Sequence, residues 1–176
     1  IQTPVDATND LVEQARRVLP GGSFGNMPAE VILKEGKGGR IWDEAGREYV
    51  DFLLGSGPMF VGHAHPEVTA AVQAQVPFGT TFFGNNRHGI ALAQAIVDAV
   101  PCADQVRFVC SGTEADLYAM RAARAFRKRD KILKFEGGYH GMSDFSLMSL
   151  APKRPGNFPF PVPDSAGIPR AIQDTM

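Results

Sequence analysis

The stretch between residues 105 and 150 constrains the fold most, because its hydrophobic pattern alternates between that of strands and that of helices. The spacing within Thr113–Arg129 is that of an amphipathic helix. Short apolar runs typical of strands occupy Gln105–Cys110, Lys131–Phe135 and Phe145–Leu150. A strand, a helix and a second strand in this order indicate parallel strands joined by a right-handed crossover. The sequence therefore predicts an α/β fold.

The turn Ser111-Gly112-Thr113 stands where the first of these strands gives way to the helix. Small residues at a helix N-terminus leave backbone N–H groups free, and together with the helix dipole these groups suit a phosphate. In α/β sheets, ligands bind beyond the carboxyl ends of the strands, which is where this turn lies. Taken alone, Ser-Gly-Thr is typical of a plain helix cap. The preceding strand and a second candidate loop favour a phosphate site, called here the phosphate cradle.

That second loop follows the next predicted strand and reads Glu136-Gly137-Gly138-Tyr139-His140-Gly141. Its glycines allow a close approach of the backbone, and the Tyr139 ring is placed to face the same cleft as the phosphate cradle. The alternative is that Tyr139 and His140 are ordinary core aromatics at a strand end. We call this pair the aromatic shelf. A phosphate cradle beside an aromatic shelf suits a phosphorylated aromatic cofactor.

Other cofactor classes find little support. Neither a G-x-G-x-x-G nor a GxxxxGK[ST] motif occurs, which argues against a dinucleotide Rossmann site and a P-loop. His63 and His65 invite a metal hypothesis, but no third ligand stands at metal spacing, so a structural loop is favoured. Cys102 and Cys110 match no zinc spacing and are expected to be free thiols.

Bulk properties set further bounds. The chain has 176 residues, a net charge of −1 and 44% hydrophobic residues, which is ordinary for a globular protein. The charge gives no argument for nucleic acid or an anionic membrane. No apolar run approaches the roughly 20 residues of a membrane span, and we expect a cytoplasmic protein.

The rest of the chain predicts three helices, a strand pair and a terminal loop. The loop begins near Pro152, where prolines and glycines are frequent enough to give neither strand nor helix. The helices are predicted at Asn9–Leu19, Glu67–Val76 and Arg87–Val100, and the strands at 41–43 and 49–52, joined by the turn Glu44-Ala45-Gly46.

Several motifs together resemble one family. In chain order they are Arg40-Ile41-Trp42-Asp43, Tyr49-Val50-Asp51-Phe52, Gly62-His63-Ala64-His65-Pro66, Phe108-Val109-Cys110-Ser111-Gly112-Thr113-Glu114-Ala115 and Lys134-Phe135-Glu136-Gly137-Gly138-Tyr139-His140-Gly141. The chain resembles the N-terminal part of a class III pyridoxal-phosphate aminotransferase, most similar to the glutamate-1-semialdehyde aminomutase branch. The resemblance implies the aspartate-aminotransferase fold, fold type I.

The resemblance also implies roles for residues. Ser111, Gly112 and Thr113 would hold the phosphate of pyridoxal 5'-phosphate, and Tyr139 would stack on its ring beside His140. The loop from Gly55 to Gly62, with Ser56, would line the substrate side, and residues 78–86 would lie near the interface of a homodimer. Residues 1–66 would contribute to the small domain, 67–151 would begin the large domain, and 152–176 would form a mobile loop.

Two departures bear on the substrate. Ser56 stands where the aminomutase pattern has tryptophan, and residues 23–28, directly after Gly21-Gly22, contain no arginine to hold a substrate carboxylate. An aminotransferase acting on an amino donor and a keto-acid acceptor is therefore favoured over an aminomutase. A non-catalytic phosphate-binding module is the alternative from another class.

The resemblance places the Schiff-base lysine and the acid that pairs with the pyridine nitrogen downstream of this chain, so it supplies none of the catalytic residues. We therefore expect an incomplete part of an enzyme, with the remainder on a separate polypeptide or a part not seen. The lysines of this chain fall in other contexts: Lys34 and Lys37 in an early turn, Lys131 and Lys134 in a strand and its approach, and Lys153 in the terminal loop.

Overall fold

The computed structural model describes residues 4–25, 27–154 and 156–176. The chain forms two compact units, Ile1–Gly84 and Asn85–Met176. Five α-helices lie in the described residues: α1 Pro4–Val18, α2 Pro66–Gln75, α3 Arg87–Ala99, α4 Gly112–Arg127 and α5 Arg170–Gln173. The strands assigned there are β1 Leu33–Lys37, β2 Arg40–Asp43 and β3 Glu48–Val50.

The first unit is built around an antiparallel sheet of order β1-β2-β3. Its second hairpin is the predicted strand pair: Gly46, at φ +80°, completes the turn and donates its N–H to the Asp43 carbonyl at 2.9 Å. A positive φ at this position favours glycine. Ile41 of β2 and Val12 of α1 are both buried and contribute to the core of this unit.

A buried carboxylate fixes that hairpin. Asp43 is 1% exposed and accepts hydrogen bonds from the Arg47 N–H at 2.8 Å, the Arg47 Nε at 2.7 Å and the Tyr49 hydroxyl at 2.8 Å. Burial alone would raise the pKa of Asp43, but the hydrogen bonds from Arg47 and Tyr49 outweigh it and lower the pKa below its usual value. The charged form of Asp43 therefore stabilises the turn.

The glycine-rich loop after β3 is anchored at both ends. Asp51 accepts the N–H groups of Leu53 and Leu54 at 2.8 and 2.9 Å, and its other oxygen lies 2.6 Å from His63 Nε2. His63 also exchanges two backbone hydrogen bonds with Gly38. These contacts account for His63 structurally, in agreement with the interpretation of this motif as a structural loop.

The second unit contains two capped helices. The Asn86 side chain accepts the Gly89 N–H at the start of α3, and the Ser111 hydroxyl accepts the Glu114 N–H at the start of α4. Helix α4 ends at Arg127, and the next residue, Lys128, has a left-handed backbone. Met148 is fully buried and pairs with Pro163 in an isolated bridge, which ties the proline-rich segment to this unit.

The three predicted parallel strands are not formed within the described residues. The segments at 105–110 and 131–135 have no regular secondary structure, and 145–150 is mostly turn and bend. A hydrophobic pattern shows that a segment suits a sheet, whereas a strand also needs a hydrogen-bonding neighbour. The contacts seen are single ones, such as the Ile132 N–H to the Thr175 carbonyl at 2.9 Å.

Two smaller predictions were also wrong. Lys34 and Lys37 lie in strand β1 rather than in a turn, because this strand pairs with β2 despite its polar, largely exposed residues. The proline-rich segment was predicted to contain no helix, yet α5 begins directly after Pro169, where proline's fixed φ suits a helix start. The other helices agree with their predicted positions, apart from α1, which starts earlier.

Candidate cofactor site

The N-terminus of α4 presents free donors. The Ser111 hydroxyl accepts the Glu114 N–H at 3.2 Å, and the Glu114 carboxylate accepts the Cys110 N–H at 2.7 Å. Within the described parts of the chain, no group accepts from the N–H of Gly112 or Thr113. Since the Ser111 oxygen serves as an acceptor, its O–H hydrogen is also left to donate. Three donors and the helix dipole therefore favour an anion at this point.

The loop of the aromatic shelf meets this helix end directly. The Met142 N–H donates to Thr113 Oγ1 at 3.0 Å, so Thr113 joins the phosphate cradle to the loop. Gly141 is buried at φ +89°, and a Cβ there would lie 2.4 Å from Thr113 Oγ1. Only glycine allows this approach. The structure thus brings together the two loops that the sequence singled out separately.

The two residues of the aromatic shelf are exposed. The Tyr139 ring is 65% exposed and His140 is exposed as well, which does not fit ordinary core aromatics in this chain. The His140 carbonyl accepts a hydrogen bond from the Ser146 hydroxyl at 2.6 Å. The Tyr139 ring is therefore free to contact a ligand, while the backbone beneath it is held.

Ser56 belongs to the other compact unit. It is exposed, has φ +65°, and donates its N–H to the Leu53 carbonyl at 2.9 Å within the loop that Asp51 anchors. Its hydroxyl is open to a ligand, but the structure gives no geometry that relates it to the phosphate cradle.

The sequence analysis did not identify the residues that hold the loop of the aromatic shelf in place. Ser143 and Ser146 lie three apart, and their hydroxyls are 2.8 Å apart. Lys134 donates to the Met148 carbonyl, and partial burial lowers the pKa of Lys134 although the nearby Asp164 and Glu136 oppose this. The serines follow the Tyr-His-Gly motif, but nothing in the sequence marks them as buried.

A cleft of about 580 Å³ lies elsewhere, beside α1 in the first unit. Its charged lining is already paired: Arg16 with Glu13 and Glu30, and Arg47 with Asp43.

No group of three or more His, Cys, Asp or Glu side chains in the described residues is placed to hold a metal ion. Cys102 and Cys110 are both free and exposed. Among the helices of the described residues, none has the length and apolar character to cross a membrane.

Comparison with known proteins gives consistent matches. A model of the family described as Aminotransferase class-III matches residues 23–174. A curated relative, glutamate-1-semialdehyde 2,1-aminomutase of Methanothermobacter thermautotrophicus, is 43% identical over 166 residues, which cover 92% of this chain and 38% of that protein. The same-named protein of Citrifermentans bemidjiense is 42% identical, with 90% and 38% covered.

Solved structures agree. An omega-transaminase from Sphaerobacter thermophilus matches with a TM-score of 0.87 and 41% identity, over 96% of this chain and 40% of that one. A transaminase with PLP bound matches with a TM-score of 0.85 and 32% identity, over 99% and 41%. The chain thus spans about two fifths of the length of the relatives it matches.

Proposed function

We propose that this chain, which belongs to the class III aminotransferase family, is part of a pyridoxal-phosphate-dependent enzyme that transfers an amino group between an amino compound and a keto acid. The predicted fold class is confirmed, because transaminase structures match nearly the whole chain. The observation that carries the proposal is the contact between Thr113 and Gly141, which joins an unpaired helix N-terminus to an exposed aromatic ring.

The residues of the phosphate cradle fit the cofactor's phosphate. The N–H groups of Gly112 and Thr113 and the Ser111 O–H would each donate to a phosphate oxygen. Each hydrogen bond to a charged acceptor stabilises by about 1.5–3 kcal/mol. The dipole of α4, a helix of 16 residues, adds to this without any lysine or arginine. Thr113 Oγ1 already accepts from Met142 and keeps its own hydrogen to donate.

The aromatic shelf fits the cofactor's ring. Tyr139 offers a ring face for stacking, and His140 stands beside it on a backbone that Ser146 fixes. When bound, this cofactor supplies an aldehyde that takes up the amino group and a ring that accepts electrons from the substrate. The residues of this chain would bind and orient the ring.

The family also indicates how the subunits and domains of the enzyme are arranged. We propose a homodimer in which residues 78–86 approach the partner, and their exposed phenylalanines, Phe78, Phe82 and Phe83, support this. We also propose that residues 1–66 belong to a small domain, that 67–151 begin the large domain, that 152–176 gate the site, and that the enzyme is cytoplasmic.

An aminomutase is the second candidate, because the curated relatives that carry this name are 43% and 42% identical to this chain. Two features favour the aminotransferase. Ser56 replaces an aromatic wall, and residues 23–28, directly after Gly21-Gly22, contain no arginine to hold the substrate carboxylate. With a small side chain at Ser56 and no positive charge directly after Gly22, the site would suit an amino donor other than glutamate semialdehyde.

The test is an assay of the whole protein that contains this chain, loaded with pyridoxal 5'-phosphate. An aminotransferase consumes an amine only when a keto acid is present and releases a new amino acid. An aminomutase converts glutamate 1-semialdehyde with no keto acid. Neither activity, in a protein that also fails to bind the cofactor, would refute the proposal in favour of a non-catalytic phosphate-binding module.

A further inference from the structure

Two serines, Ser143 and Ser146, hold the loop of the aromatic shelf in place through hydrogen bonds. Ser146 is 1% exposed, and its hydroxyl lies 2.6 Å from the His140 carbonyl and 2.8 Å from the Ser143 hydroxyl. The Gly137 N–H donates to the Ser149 carbonyl at 2.9 Å and closes the base of the loop. The two hydroxyl bonds share Ser146 and tie the end of the loop to the segment that follows it, and the Gly137–Ser149 bond ties the start of the loop to the same segment.

The direction of the bonds follows from the acceptors. A carbonyl only accepts, so the single hydroxyl hydrogen of Ser146 goes to His140. Ser143 must then donate to the Ser146 oxygen, and in turn the Ser143 oxygen accepts the Ser146 N–H at 3.3 Å. Successive O–H donors polarise one another and strengthen each bond. The pair therefore fixes the peptide between His140 and Gly141 in one orientation.

That peptide determines how far the aromatic shelf lies from the phosphate cradle. Gly141 follows it directly and contacts Thr113, and the next N–H, of Met142, donates to Thr113 Oγ1. Tyr139 precedes it by one residue. Rotation of the peptide would shift the ring on one side and break the Met142 bond on the other.

We propose that Ser146 is a positioning residue of the cofactor site, which sets the distance between the Tyr139 ring and the N-terminus of α4. This inference rests on the proposed function for its ligand, and on the contacts of Ser146 for its geometry. Ser146 touches neither the ligand nor the reacting atoms and acts through the His140 carbonyl.

The test compares Ser146→Ala with Ser149→Ala in the whole protein. Ser149 is a matched control: it is 6% exposed, lies in the same segment, and its hydroxyl accepts the Val162 N–H at 3.0 Å instead. Each variant loses one buried hydroxyl. For Ser146→Ala we expect the Kd for pyridoxal 5'-phosphate to rise about 3- to 10-fold, the cost of one such bond. For Ser149→Ala we expect a change within about twofold.

Two further measurements distinguish a shift of the Tyr139 ring from a general loss of structure in this segment. Inorganic phosphate contacts only the cradle, so its Kd should stay unchanged in Ser146→Ala. Hydrogen exchange at the Met142 amide should speed up in Ser146→Ala and not in Ser149→Ala. The inference is overturned if both variants weaken cofactor binding equally, or if Ser146→Ala changes neither the Kd nor the exchange. If the wild-type protein binds no pyridoxal 5'-phosphate, the proposed function fails, and exchange at Met142 alone decides whether Ser146 holds the loop.

Discussion

The phosphate cradle can be tested by removing one backbone donor and leaving the helix intact. Gly112 is the first residue of α4, and a Cβ at this position meets no atom within 4 Å. The preceding Ser111 is extended, at φ −154° and ψ 161°, which is the conformation that a following proline requires. Proline is favoured at the first helical position because that N–H has no helical partner. Gly112→Pro therefore deletes this N–H and puts the proline Cδ in its place, and it leaves the helix start intact.

The hydrogen bond that is lost sets the minimum effect, to which the proline Cδ adds steric hindrance of the phosphate. A hydrogen bond to a charged acceptor stabilises by about 1.5–3 kcal/mol. Each 1.4 kcal/mol corresponds to about a tenfold change in Kd, so Gly112→Pro should weaken binding of pyridoxal 5'-phosphate by about 10- to 100-fold. Gly112→Ala keeps the N–H and is the matched control. Both variants should match or exceed the wild type in stability without cofactor, because each restricts the unfolded chain.

Calorimetric titration of the whole protein with the cofactor measures this difference, and thermal unfolding without cofactor checks the helix. Equal affinity in Gly112→Pro and Gly112→Ala would refute the argument that the Gly112 N–H binds the phosphate. An equal loss in both would also refute it, since the cause would then be the added Cβ and not the missing donor.

Three further predictions concern stability. Gly141→Ala should cost roughly 1–3 kcal/mol, since its Cβ would lie 2.6 Å from the Thr113 Cα, and denaturant unfolding measures this; an unchanged midpoint would contradict the close contact. Asn86→Ala should cost about 1 kcal/mol through loss of the cap on the Gly89 N–H, and Asn86→Ser should restore most of it. Asp43, with its pKa below the usual 3.8, stabilises the fold above that value and loses this contribution as pH falls through its folded pKa. Asp43→Asn should therefore be less stable at pH 7 and show a smaller loss between about pH 5 and pH 2, as followed by unfolding at each pH.

Helices and tight turns were predictable because their determinants are local. Asn86 and Ser111 mark helix starts through their own side chains, and Gly46 marks a turn through its own φ. The junction of the two candidate loops was anticipated in outline, since the glycines of the second loop indicated a close backbone approach. The structure adds the particular pair that meets, Thr113 and Gly141.

What the sequence did not predict depends on which groups contact one another, and a pattern of single residues does not give this. Strand β1 is too polar to stand out and exists because β2 pairs with it. The segment at 105–110 has a strand pattern but finds no ladder in the described residues. Ser146 carried no signal as a structural residue, because a buried serine is recognisable only once its acceptor, the His140 carbonyl, has been located.

The central claim is that the N-terminus of α4 holds the phosphate while Tyr139 meets the ring. A crystal structure of the whole protein with pyridoxal 5'-phosphate tests this most directly. The account predicts phosphate oxygens about 2.7–3.2 Å from the N–H nitrogens of Gly112 and Thr113, with the Tyr139 ring stacked on the pyridine. A phosphate bound elsewhere, with these two N–H groups facing solvent, would contradict it.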